Sequence, residues 1–84
     1  MAKTKIFTMD VTETVAVFDS NAYGNKMMIV ADPDNSAAIY IGDVDSQEIK
    51  LNPGDSTAFM DIEKVNEILV YGTSGDKAQA IVTF

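Results

Sequence analysis

Four residue types are missing from this chain of 84 residues: cysteine, histidine, arginine and tryptophan. Without cysteine there is no disulfide framework and no thiolate nucleophile or redox centre. Without cysteine and histidine together there is no donor set for a structural zinc site. The lack of histidine also removes the one side chain that titrates near neutrality in an ordinary environment. Lacking arginine, the chain has no planar fork for bidentate grips on phosphate or carboxylate. Long hydrophobic runs are missing too: no stretch approaches the 18 or so apolar residues of a membrane-spanning helix. The opening Met-Ala-Lys-Thr-Lys-Ile-Phe-Thr has basic residues with no apolar stretch behind them, so it does not read as a secretion signal, and synthesis in a cytoplasm is the expectation.

Charge of one sign is also scarce. Six lysines stand against thirteen acidic residues, for a net charge of −7. Nucleic-acid binding draws much of its affinity from neutralising phosphates, which this surface repels. Anionic membranes are disfavoured for the same reason. The expected partners therefore include neither nucleic acid nor membrane.

The length fits one domain. A domain this small buries only about 60–65% of the surface its unfolded chain exposes. With disulfides and zinc excluded, oligomerisation is the remaining common source of added stability.

What is present is a series of short apolar runs rich in Val, Ile, Tyr and Phe, punctuated by Gly, Pro, Asn and Asp. Lys5 to Met9 alternates, with Lys5, Phe7 and Met9 on one side, and reads as a short strand or arm. Val11 to Phe18 is rich in β-branched residues and reads as a strand with Val11, Val15 and Val17 on one face. Residues 19–25 read as a loop. Met27 to Ala31 is continuously apolar, as in a strand covered on both faces or at an interface. Asp32-Pro33-Asp34-Asn35 is a turn. Ala37 to Ile41 sets Ala37, Ile39 and Ile41 opposite Tyr40. Gln47 to Leu51 points Ile49 and Leu51 inward and Glu48 and Lys50 outward. Asn52-Pro53-Gly54-Asp55 suits a type II turn, whose third residue needs a positive φ. Strands follow at Ser56 to Met60, Ile68 to Tyr71 and Ala78 to Phe84. A single helical turn is placed at residues 61–66, where Asp61 could cap it.

Seven or eight short strands near ten residues apart, with turn signals between them, predict an all-β fold. The architecture is a small antiparallel sandwich or jelly-roll-like barrel. Residues 1–10 read as an N-terminal arm or edge strand and 11–84 as the single sandwich domain.

Candidate sites are few. Asp32/Asp34 and Asp43/Asp45 could serve a hard cation such as Ca²⁺. The stretch from Asp32 superficially follows the start of an EF-hand loop, yet Ala37 stands where Gly is required and Asp43 where Glu is usual. The plain reading prevails: Asp and Asn bond the neighbouring backbone of turns. Paired carboxylates could also serve a glycosidase, but a cleft with sugar-stacking aromatics would be needed. No catalytic residue, metal or cofactor is expected, and the chain reads as a non-enzyme. Gly72 and Gly75 read as turn residues, not as a phosphate cradle. Among the bulky side chains, Met28, Phe59 and Phe84 are expected to fill the core. Tyr23, in a loop beside Gly24, reads as an exposed contact. Lys3, Lys5, Ile6 and Phe7 read with it as partner contacts, because the first segment could pair with a neighbour's open sheet edge.

Several strings taken together resemble a known group. They are Ser36-Ala-Ala-Ile-Tyr-Ile-Gly42, Ile49-Lys-Leu-Asn-Pro-Gly-Asp-Ser56, Ala58-Phe-Met-Asp-Ile-Glu-Lys-Val65, Ile68-Leu-Val-Tyr-Gly72 and Ala78-Gln-Ala-Ile-Val-Thr-Phe84. Their order is similar to that of small β-sandwich virion proteins of tailed bacteriophages, from Lys26 to Phe84; residues 1–25 depart from it. The resemblance implies a structural role on a virus particle, made in the host cytoplasm and residing in the virion. A capsid decoration (cement) protein is the leading form, and a head-fibre base or tail component the other. It implies a major capsid protein or other virion protein as partner, and a closed homo-oligomer with a trimer favoured. A competing reading is a carbohydrate-binding or adhesin-like sandwich with exposed aromatics around Tyr23, Tyr40 and Tyr71.

Overall fold

The computed structural model describes residues 3–84. It contains β1 (Thr4–Asp10), β2 (Ala16–Val17), β3 (Lys26–Ala31), β4 (Ile39–Gly42), β5 (Ile49–Leu51), β6 (Met60–Asp61), β7 (Leu69–Tyr71) and β8 (Lys77–Thr83), with one 3-10 turn at Val65–Glu67. One sheet, A, has the order β1-β8-β3-β6; the other, B, has the order β2-β7-β4-β5. Every pairing is antiparallel.

The pairings nest. β1 lies against β8, β2 against β7, β3 against β6 and β4 against β5. The chain thus runs as one long antiparallel ribbon, doubled back at the β4–β5 loop. Rolling that ribbon brings β8 beside β3 and β7 beside β4, which closes the two sheets. Eight strands wound this way form a jelly roll.

Alternation decides which residues meet between the sheets. Sheet A contributes Met9, Met27, Ile29, Ala31, Ala78, Ala80 and Val82; sheet B contributes Ile39, Ile41, Leu51 and Val70. Val11, Phe18 and Val65 close the cluster from the connections. The alanines of β8 have larger neighbours: Ala80 lies between Phe7 and Ile29, and Ala78 is matched to Met9 on its β1 side. That exchange of small for large side chains keeps a thin core dense. Burying a side chain such as Ile29, which is fully enclosed, stabilises the fold by about 1.5–3 kcal/mol.

The turns follow their residues. Gly54 has φ +86°, and the Asp55 N–H donates to the Asn52 carbonyl at 2.9 Å, as the type II reading requires. The Asn35 N–H donates to the Asp32 carbonyl at 3.0 Å, closing the Asp32–Asn35 turn.

Three elements depart from the sequence reading. Val11 to Phe18 is not one strand: Val11 is buried while Val15 and Val17 are exposed, and only Ala16–Val17 pairs. The reason is a change of sheet. The Val11 N–H still bonds Asp76 O beyond the end of β1, whereas the bend at Thr12–Thr14 carries the chain across to sheet B. The run expected at Ser56–Met60 pairs regularly only at Met60–Asp61. The helical turn falls at Val65–Glu67, because Asp61 belongs to β6 and holds Lys26 at 2.9 Å. Glu67, not Asp61, accepts the backbone N–H groups of Glu63 and Lys64.

Candidate functional site

The acidic groups are engaged in holding the loops. Asp76 is only 7% exposed, and its carboxylate accepts the Ser36 N–H at 2.9 Å, the Ser36 hydroxyl at 3.0 and 3.2 Å, and the Ala37 N–H at 3.2 Å. These bonds, that from the Ser36 backbone first, hold its pKa below the ordinary aspartate value against the opposing effect of burial. Asp32 accepts the Asp34 N–H at 2.9 Å and the Gln79 amide at 2.7 Å, and its pKa is lowered by those bonds in that order. Lys77 donates to Asp10 at 2.6 Å, which raises its pKa. Asn35 grips the backbone of Lys77 twice, accepting its N–H at 2.7 Å and donating to its carbonyl at 2.9 Å. The β3–β4 loop is thereby fastened to the β7–β8 turn.

Asp43 acts likewise, accepting the N–H groups of Asp45 at 2.9 Å and Ser46 at 3.1 Å. Among the described residues, no three His, Cys, Asp or Glu side chains are grouped to hold a metal ion. Nor does a buried side-chain polar atom among them lack a partner. A hollow of about 320 Å³ beside the 3-10 turn is an open dish lined by Glu63, Lys64, Asn66 and Glu67. Ligand pockets of that size are usually enclosed and mostly apolar; this one is neither.

The notable chemistry lies on the outsides of the sheets. On sheet A, Ile6 faces Ile81, which faces Met28, giving an apolar row across β1, β8 and β3. Ile6 is 63% exposed. Phe59, directly before β6, is 47% exposed. On sheet B, Val17 faces Leu69, and Tyr71 faces Tyr40, which faces Lys50. The two tyrosine rings stack with centroids 5.2 Å apart and planes 18° from parallel. Both outer faces therefore carry apolar side chains where a solvated sheet would alternate to polar ones.

The residues singled out from sequence divide between two places. Lys5, Ile6 and Phe7 sit on β1, with Lys3 immediately before it; the Lys3 carbonyl accepts the Phe84 N–H at 2.8 Å. Phe7 packs against the core, and the Lys5 ammonium lies 5.2 Å from its ring centroid. Ile6 points the other way, onto the outer row. Tyr23 is 64% exposed, bridges to Lys64 and has the Lys64 ammonium 5.2 Å from its ring. It does not join the Tyr40–Tyr71 pair. The assignment of Met28, Phe59 and Phe84 to the core is corrected: Phe59 and Phe84 are exposed and Met28 is half-buried. Ile49 is also largely exposed, although it lies opposite buried Ile41, because β5 is an edge strand. Sequence patterning missed the rows themselves, since a row exists only once distant strands are placed in register. The one local signal was the uninterrupted apolar run Met27–Ala31.

The fold defines an eight-strand jelly roll without a convergent catalytic constellation among its described residues. No family model matches the chain, and no curated protein matches it. Among solved structures it is similar to a chain described under "Bacillus endospore appendages form a novel family of disulfide-linked pili". The TM-score is 0.57 at 13% identity, over 99% of this chain and 82% of that one. At that identity the likeness is one of fold. Disulfide linkage has no counterpart here, because this chain has no cysteine.

Proposed function

We propose that this protein is a non-catalytic structural subunit of a symmetric protein assembly, and that its leading form is a capsid decoration protein of a tailed bacteriophage. The observation that carries the reading is the pair of apolar outer faces, Ile6–Ile81–Met28 on sheet A and Val17–Leu69 with Tyr71–Tyr40 on sheet B. A small domain that leaves apolar rows on both outsides gains by covering them with protein. The jelly roll supports the subunit reading at the level of fold, since the similar solved chain is described as belonging to pili. The virion assignment rests on the order of strand and turn motifs from Lys26 to Phe84. On this reading the partner is a major capsid protein or another virion protein, and the protein resides in the virion. A cement protein that binds only the assembled shell stabilises it by mass action.

The test is to add the purified protein to mature phage shells that lack it and follow co-sedimentation and shell melting. Saturable binding with a symmetric copy number, and a higher shell melting temperature, are expected. Absence of binding to shells and to tails alike would overturn the virion reading. The alternative of a carbohydrate-binding module is favoured by one observation, the stacked Tyr40–Tyr71 pair on an outer face. It predicts glycan-array hits that vanish in Tyr71→Ala; an array without hits removes it.

A further inference from the structure

β1 and β6 border sheet A, and β2 and β5 border sheet B. Three of these borders are short: β2 and β6 have two residues each and β5 has three. The run before β6 is interrupted as well, where the Ile29 N–H bonds the Thr57 hydroxyl instead of a backbone carbonyl. A short or irregular border offers little backbone to a further strand. β1, with seven residues, offers much. The Phe84 N–H bonds Lys3 O and the Val11 N–H bonds Asp76 O, each at 2.8 Å, and between them Thr4–Asp10 pairs with Lys77–Thr83 without a break. Hydrogen-bonded pairs alternate in such a ladder, so Lys5, Phe7 and Met9 bond to β8. Thr4, Ile6, Thr8 and Asp10 turn N–H and C=O to the open side, and neither proline nor bulge interrupts them.

What this border does carry is charge on its core side. Met9 is buried and Phe7 packs against the core, so alternation puts Lys5, and Lys3 before the strand, on that same side. Both lysines are exposed. The Lys5 ammonium lies over Phe7, 5.2 Å from the ring centroid. The ion pairs among the described residues join Lys26 to Asp61 and Lys77 to Asp10, and Lys5 belongs to neither. Two of the chain's six lysines thus stand where the pattern of a sandwich calls for apolar residues.

We propose that Lys3 and Lys5 guard this border, barring any further β-strand from adding to sheet A beside β1. A strand placed there meets Lys5 at a non-hydrogen-bonded position, where side chains of neighbouring strands stand closest. Its core side encloses the ammonium against Phe7, with no carboxylate of this chain paired to it. Taking an unpaired charge out of water opposes the added strand, and an inward lysine is a recognised protection of sheet edges for that reason. Each border of the two sheets then has its own safeguard: brevity at β2, β5 and β6, buried-side charge at β1. Association is directed to the faces of the sheets and away from their borders. The inference holds whichever assembly those faces build.

The test removes the two charges in the full chain and reads the border itself. Lys3→Thr/Lys5→Thr keeps a polar, strand-compatible residue at both positions. It also makes a net charge of −7 more negative, so general repulsion predicts less association, not more. Sedimentation velocity is expected to show larger species in this double variant that the unaltered protein does not form at a concentration about a hundredfold higher. Hydrogen exchange at the Ile6 and Thr8 amides is expected to be fast in the unaltered protein and slowed in those larger species. Adding Thr8→Pro removes an N–H that the β1–β8 ladder does not use, and proline is tolerated at such edge positions; the larger species are then expected to disappear. A double variant that sediments like the unaltered protein would overturn the proposal. Ile6 and Thr8 amides already protected in the unaltered protein would do the same, as would larger species that leave them unprotected. Should the variant with Thr8→Pro fail to fold, the exchange measurement decides alone.

Discussion

Two residues show how little of a loop's behaviour lies in its composition. Asp76 stands in a turn of Gly, Thr, Ser and Asp, like many surface aspartates, but it is buried and accepts every available donor from Ser36 and Ala37. Because its folded pKa is lowered, as is that of Asp32, each contributes stability that is present in full above the unfolded aspartate pKa. That stability is lost as the pH falls through the folded value. Asp76→Asn is expected to lower the melting temperature at neutral pH and to flatten its decline below about pH 4; differential scanning calorimetry from pH 7 to pH 2 reads both. Gly42 is tied to packing. A Cβ there would sit 1.8 Å from Ser46 O and 2.7 Å from the Gln47 Cα, because the β4–β5 loop folds back over it. Gly42→Ala must displace backbone, and a loss of about 3 kcal/mol or more is expected, seen as a lower urea midpoint. Gly54→Ala, opposed only by its positive φ, costs about 1–2 kcal/mol.

At the scale of elements, the strands best read from sequence are those whose alternation is set by the core alone. β4 alternates as Ile39 and Ile41 against Tyr40 predict, the strands expected at Met27 to Ala31 and Ala78 to Phe84 are present as β3 and β8, and the turns around Pro33 and Pro53 close where expected. The errors sit where another influence prevails. Val11 and Val17 share a parity, yet one faces the core and the other solvent, because the chain changes sheets at Thr12–Thr14. Asp61 looks like a helix cap, but its contact with Lys26 assigns it to β6. Met28 and Phe59 look like core residues, and nothing local tells an inward apolar side chain from an outward one in such a run. Truncating an inward one is costly: Ile29→Ala, at the centre of β3, is expected to destabilise by about 2–5 kcal/mol, whereas Met28→Ala on the outer row changes stability by less than half as much. Paired urea unfolding curves compare the two.

At the scale of the molecule, the jelly roll was visible as a class and its candidate surfaces were not. Strand number and turn spacing are local and survive in the sequence. The cross-strand rows depend on partners such as Ile6 and Ile81, or Val17 and Leu69, that local patterning never brings together. The same topology bears on kinetics. Its longest ladder joins Thr4 to Thr83, so the chain must close nearly its full length before β1 is secured. Refolding in milliseconds to seconds is expected, and stopped-flow fluorescence of the tyrosines measures it. The excess of negative charge adds a salt dependence. Extending the ionic strength from about 0.01 M to 0.15 M shortens the screening length from about 30 Å to about 8 Å, and the neutral-pH melting temperature is expected to rise.

The hydroxyl of Thr57 has a wider consequence. By standing in for a main-chain acceptor beside Ile29, it interrupts the ladder between β3 and the run leading into β6, where regular pairing begins only at Met60. A single side chain thus decides how much of that run counts as strand, and the backbone beside it is satisfied all the same.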